Sequence, residues 1–204
     1  MEIGLFPLGI VLLPTEQIPL HIFEPRYREL IAECLERGEP FGLVYADDDG
    51  LRRTGTLAQV VEVVERFDDG RLNIVVEGGE RFRLVELTDG RSFHTGTIEP
   101  MADGGEASDP EDVTRALALF ARLVELTGAE VEVPGEGIDQ PSFALASRFE
   151  LAPELKLELL EERSERLRLK RLCEIFETVV AVVERQRATA ELASKNGKAP
   201  PPTP

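Results

Sequence analysis

The spacing of apolar positions changes once along the chain, from strand-like before about residue 100 to helical after it. From Ile3 to Leu13 apolar residues are dense and broken by Pro7 and Gly9, which predicts two short strand pieces joined by a kink. Leu20, Ile22 and Phe23 predict the end of a buried strand. Pro25 follows where its fixed φ and missing N–H suit the first turn of a helix. That helix is expected to run to about Arg37, stopped by Gly38 and Pro40. Leu30, Ile31, Cys34 and Leu35 recur at helical spacing and form its inner face, leaving Arg26, Arg28, Glu29, Glu33 and Glu36 for solvent. Phe41 to Ala46 reads as a short buried strand closed by the acidic turn Asp47-Asp48-Asp49-Gly50.

Thr56 to Phe67 is the longest strand signal. Simple alternation puts Leu57, Val61 and Val63 on one side and Ala58, Val60 and Val64 on the other, as in a sheet covered on both faces. Asp69-Gly70 predicts a type I′ hairpin turn. Leu72 to Val76 forms the next strand, Gly78-Gly79 is expected to break it, and Phe82 to Leu87 and Phe93 to Ile98 follow on either side of the turn Asp89-Gly90. Short strands separated by glycine turns point to a small antiparallel barrel or sandwich.

At Pro100 the composition shifts, and Met101 to Pro110 reads as an exposed linker of Gly, Ala, Asp and Ser. Val113, Leu117, Phe120, Leu123, Val124 and Leu126 then build a helix, started by Ser108 or Asp109 before Pro110 and closed by Gly128. After a loop through Pro134-Gly135, Asp139 and Ser142 are candidate caps of a second helix carrying Phe143, Leu145, Ala146 and Phe149. Pro153 begins a third, with Leu155, Leu159 and Leu160 inward. Leu169, Leu172, Phe176, Val179 and Val183 mark the seam of a long final helix packed in a bundle. The mixed charges from Glu161 to Arg171 read as a solvated face, and the tail from Ser194 on as disordered.

Charge narrows the chemistry. With 39 acidic and 23 basic residues the net charge is −16, which opposes unspecific contact with nucleic acid or an anionic membrane. Cys34 and Cys173 fall within apolar helical patterns, as buried free thiols of a reducing cytoplasm would. No basic leader precedes the early apolar run Ile10 to Leu13, which is too short for a signal core or membrane span, so a cytoplasmic location is expected. No metal or cofactor is expected either. A calcium loop starting at Asp47 would need Gly and Glu where Arg52 and Ala58 stand. The Gly197-Lys198 pair lacks the rest of a phosphate-binding loop, G-x-S-x-G is absent, and His21 and His94 have no catalytic or metal partners at useful spacing. His21 alternates with Leu20 and Ile22 as a strand side chain. The chain is therefore expected not to be an enzyme. Phe23, Arg26, Tyr27 and Arg28 are the candidate polypeptide-binding residues, because exposed Arg and aromatic side chains grip partners well.

The order of the pieces carries a resemblance. Pro7-Leu8, Val11-Leu12-Leu13-Pro14 and Pro19-Leu20-His21-Ile22-Phe23-Glu24-Pro25-Arg26-Tyr27-Arg28 resemble the amino-terminal substrate-binding domain of Lon proteases. So do Phe41-Gly42-Leu43-Val44, Gly55-Thr56-Leu57-Ala58, Asp69-Gly70-Arg71, Gly79-Glu80-Arg81-Phe82-Arg83 and, in the helical half, Pro141 to Ala146 and Leu155 to Leu169. Thr15 departs from the Gly many members have there, and Phe143 from a common Trp. The ATPase module and Ser-Lys protease domain of full Lon enzymes have no counterpart, as in a stand-alone substrate-binding domain protein. The resemblance implies an α+β chain: a PUA-like antiparallel β-barrel with one inserted helix over 1–100, a linker over 101–110, a helical bundle over 111–190 ending in a long helix, and a disordered tail over 191–204. It also implies a non-catalytic module that recognises exposed apolar segments of unfolded or damaged proteins, as an adaptor or holdase beside an ATP-dependent protease or chaperone. An RNA-binding PUA-like module is the alternative, which the charge of −16 opposes. A peptidase-associated subunit acting with a separate ATPase/protease is a further one.

Overall fold

In the computed structural model, which describes residues 1–105, 108–131, 133–134 and 137–196, the change of period divides strands from helices as expected. The strands are β1 (Glu2–Leu8), β2 (Gln17–Ile22), β3 (Phe41–Asp47), β4 (Gly50–Arg66), β5 (Leu72–Thr88) and β6 (Thr95–Pro100), with α1 (Pro25–Arg37) inserted after β2. The helical half comprises α2 (Pro110–Thr127), α3 (Pro141–Ala146), α4 (Pro153–Glu161) and α5 (Glu165–Asn196). The sheet order is β2-β5-β4-β3-β1-β6, and β6 pairs back onto β5 to close a barrel. Most pairs are antiparallel as expected, but β1 and β3 are parallel, because α1 carries the chain across between them.

Three local expectations change. Only one strand lies before residue 9; Val11, Leu12 and Leu13 are buried in irregular chain, Leu12 beneath α1 and its neighbours in the helical core. Gly78-Gly79 does not end a strand, since β5 runs straight through it with a register shift against β4. The β4–β5 hairpin is not type I′. Gly70 alone has positive φ (84°), the Gly70 N–H donates to Phe67 O at 2.9 Å and the Phe67 N–H to Arg71 O at 3.0 Å, so a type I turn closes with glycine in a bulge.

Two apolar clusters fill the strand half. Leu5, Val44, Phe82, Leu84 and Ile98 fill the barrel, while Ile22, Leu72, Ile74 and Val76 pack with Tyr27, Leu30 and Ile31 of α1. The helical core centres on Phe120, Phe143, Leu169, Leu172 and Phe176, and it also takes in Val11, Leu13 and Tyr45 from the barrel side. Pro110 and the Asp109 cap start α2 and Gly128 ends it, as the sequence predicts. Helices α2 and α5 run parallel, with Arg115–Glu177 at 2.6 Å and Arg122–Glu184 at 2.7 Å, both 62 residues apart. Beyond Phe176 the α5 seam opens, leaving Val179 and Val182 exposed. Helix α5 continues to Asn196, through the start of the expected tail; the remainder, 197–204, lies outside the described residues.

The junction of the two halves overturns further expectations. Arg168, expected on a solvated face, is fully buried. Its Nε–H donates to Ser142 Oγ at 2.7 Å, and its Nη groups donate to Asp103 Oδ2 at 2.7 Å, to Asp103 Oδ1 at 3.0 Å, to Glu162 O at 2.8 Å and to Glu165. Arg81 of β5 donates to Asp103 and to the carbonyls of Leu160 and Glu162, beside the C-terminal end of α4. Phe143 lies under both guanidinium groups, 4.0 Å from that of Arg168 and 5.2 Å from that of Arg81. The start of the expected linker is therefore strapped down, because Asp103 is the shared counter-ion of two buried arginines. Ser142 belongs to this network and caps nothing; Gln140, at φ 49°, is the N-cap of α3, which ends before Phe149.

Thr15 also adopts positive φ (66°), at the position where the resemblance implies Gly. A left-handed conformation costs a β-branched residue about 1–2 kcal/mol, against about 0.5–1 kcal/mol of extra chain entropy lost by glycine. Thr15→Gly should therefore stabilise the chain slightly, raising the calorimetric melting temperature by roughly 1–3 °C. A fall would mean that the contact of Thr15 with Ser147, at 3.5 Å between hydroxyl oxygens, outweighs the backbone strain.

Candidate functional site

The stretch Pro19 to Arg28 leads from β2 into α1, at the part of the sheet that projects past the barrel. Beyond Ala58, β4 has lost β3 and pairs only with β5, which in turn carries β2. The inner face of this three-stranded region rests on α1. Its outer face is set by register: Gln17, Pro19 and His21 of β2 stand opposite Glu77, Val75 and Asn73 of β5, and β4 adds Glu62 and Glu65.

Two bulges bring valines onto the outer face. Val60 pairs with Val76 and Glu62 with Val75, so Val61 is an extra residue; Val64 is extra in the same way between Val63 and Glu65. Each bulge resets the alternation, keeping Ala58, Val60 and Val63 inward and leaving Val61 and Val64 at 48% and 57% exposure. The expectation of valines buried on both faces is thus wrong for this half of β4.

At one end an aromatic group continues the valines. Phe23 is 58% exposed and stacks on the His21 ring at 5.9 Å, and Phe67 meets the same ring edge-on at 6.0 Å. His21 Nδ1 lies 2.6 Å from Asn73 Oδ1, and the Asn73 amide donates to Glu65 at 3.0 Å, so hydrogen bonds fix the face from β2 across to β4. Arg71 covers Phe67 at 5.0 Å, and its bonds to the Asp69 carboxylate, with the Arg71 backbone N–H foremost, hold that acid below the ordinary range.

Only part of the predicted binding set is presented. Phe23 is on the surface, and Arg26 is half-exposed, paired with Glu24 at 2.8 Å and lying over the Tyr27 ring at 4.5 Å. Tyr27 is buried instead of exposed: it stacks on Phe6 at 4.0 Å, and burial raises its phenol above the usual range. Helical spacing explains this, since Tyr27 precedes Leu30, Ile31 and Cys34 on the inner face of α1. Arg28 reaches the hairpin, donating to the Asp69 carbonyl with Nη1, while its buried Nε has no hydrogen-bond partner among the described residues. It braces the Phe67 turn through Nη1.

The edges of this region are poorly suited to strand addition. Pro19 has no N–H, so its pairing with Val75 is of the non-hydrogen-bonded kind and its polar groups face the free edge of β2, where the middle donor is missing. On the opposite side the two bulges kink β4. A concavity of about 560 Å³ at the junction is lined by Thr15, Gly79, Glu80, Arg81, Asp103 and Gln140 among others. Its arginine is already engaged by Asp103 and by two carbonyls, so the cavity offers no vacant cation to a ligand. Among the described residues no group of His, Cys, Asp and Glu is arranged to hold a metal ion, and no helix is long and apolar enough to cross a membrane.

The profile of the ATP-dependent protease La (LON) substrate-binding domain matches residues 2–178. The chain belongs to this family. Among relatives, the Lon protease of Paraburkholderia phytofirmans is 28% identical over an alignment of 202 positions that covers 91% of this chain and 25% of that protein. The Lon protease of Parabacteroides distasonis is 30% identical over an alignment of 146 positions that covers 65% of this chain and 17% of that protein. The chain thus spans about a quarter or less of these relatives. A Lon N-terminal domain protein from Xanthomonas campestris superposes with a TM-score of 0.66 at 26% identity, covering 84% of this chain and 96% of its own. The N-terminal domain of a Mycobacterium avium complex Lon protease reaches the same TM-score at 19% identity, over 87% and 98% of the two chains, and shows the shared fold. Both the Lon N-terminal architecture and the family read from the ordered motifs therefore hold.

Proposed function

We propose that this Lon-family chain is a non-catalytic polypeptide-binding module that recognises exposed apolar segments of unfolded proteins. It acts as an adaptor or holdase and passes its clients to a separate ATP-dependent protease or chaperone. The observation that carries the reading is the outer face of β2-β5-β4, where Phe23, Val61 and Val64 stand exposed around His21 and Phe67. Apolar side chains grouped on a braced sheet give a partner a surface to bury without first ordering the protein. Membership in a substrate-binding family supports the same reading.

Phe23→Asp and Val64→Asp should each weaken binding of a permanently unfolded reduced and alkylated protein at least tenfold, by fluorescence anisotropy. Neither should change circular dichroism. Leu167→Asp, an equally exposed position on α5, is the control and should bind as the parent does. Equal affinity in all three variants would remove the site, and failure of the parent chain to bind any unfolded protein would remove the function.

A further inference from the structure

The apolar face is interleaved with carboxylates. Glu62 and Glu65 accompany the bulge valines, and Glu77 stands opposite Gln17, whose amide donates to it at 2.5 Å. Asp68 adds another exposed acid at the hairpin. The basic groups nearby are largely engaged: Arg26 with Glu24, Arg71 with Asp69, and Arg28 with the Asp69 carbonyl, while Arg66 closes β4 opposite Leu72. The rim thus repeats locally the acidic excess of the whole chain, −16.

Resting on the functional reading above, we propose that the occupant of this face is an extended polypeptide segment whose apolar residues are flanked by lysine or arginine, held through side chains and not by strand addition. The valines and Phe23 bury the apolar positions, and Glu62, Glu65 and Glu77 meet the flanking cations. Acidic flanks would face like charge. Backbone pairing contributes little, because Pro19 removes the central donor of one edge and the bulges distort the other.

The test uses the full chain and labelled synthetic peptides sharing one apolar core. One has lysine flanks, one glutamate flanks, and one lysine flanks with alternate backbone nitrogens methylated. The lysine-flanked peptide should bind at least tenfold more tightly than the glutamate-flanked one at low salt, with the gap closing as salt rises. N-methylation should change its affinity less than threefold. Glu62→Gln together with Glu65→Gln should shrink the flank preference, whereas Glu150→Gln on the helical half should not. Equal affinity for the two flanks, or loss of binding on N-methylation, overturns the inference while leaving apolar recognition intact. No binding by any of the peptides overturns both.

Discussion

Arg168→Met is expected to destabilise the chain by about 3–5 kcal/mol, the usual consequence of removing one partner from a buried ion pair. Methionine fills much of the vacated space, so the loss comes chiefly from Glu165, which keeps its charge after losing its bond to Arg168, while Asp103 retains Arg81. In thermal unfolding this should lower the melting temperature by about 10 °C. Adding Glu165→Gln to Arg168→Met removes the stranded charge while leaving Asp103 to Arg81, and should recover part of the loss. A single variant that melts within about 2 °C of the parent would show that the junction is not stabilised in this way. The same network sets an acid limit. Burial would raise Asp103, but the hydrogen bonds and charges of Arg168 and Arg81 outweigh it and hold the carboxyl below the ordinary range. A carboxylate depressed on folding contributes stability above its unfolded value, about 3.9, and loses it as pH falls through the folded value. The fall in stability below about pH 4 should therefore be shallower in Asp103→Asn.

Gly78→Ala is the second large effect, with an expected loss of about 2–4 kcal/mol. A Cβ there would stand 2.1 Å from the Leu13 carbonyl oxygen and 2.9 Å from its carbon. Backbone atoms cannot rotate aside as a side chain can, and this carbonyl is held by the Glu16 N–H at 3.1 Å. The two segments are also stitched together, with the Thr15 N–H donating to Gly78 O at 2.7 Å and the Gly78 N–H to Glu16 O at 2.9 Å. Making room for the methyl means giving up some of these bonds. Gly79→Ala is the internal control, since its added carbon would meet only the Leu57 oxygen at 3.4 Å. Urea unfolding should place the two variants far apart, and similar midpoints would argue that the irregular segment before β2 yields.

Much of the fold was legible because local rules agree with the global one. Pro25, Pro110 and Pro153 open helices, and Gly38 and Gly128 close α1 and α2. The errors arise where a long-range partner decides. Arg168 in a run of alternating charges looks solvated until α3 and Asp103 are brought against it. Tyr27 looks like a surface grip until Phe6, remote in sequence, receives its ring. The exposed valines left a clearer trace. Val60-Val61-Glu62-Val63-Val64-Glu65 repeats every three residues, a period that a regular strand cannot satisfy, and a bulge in each triplet is the way a strand accommodates it.

The pairings of the two halves constrain the order in which the chain can become native. Strand β1 waits for β6, meeting it at Glu2 and Thr97, and α2 waits for α5 across 62 residues. Neither wait is shortened by local contacts, and such remote closures slow folding. Because Asp103 joins Arg81 of β5 to Arg168 of α5, completing the barrel and completing the bundle are coupled steps. During synthesis the barrel strands would emerge with their junction still open, and the arrival of α5 would lock both halves late and together.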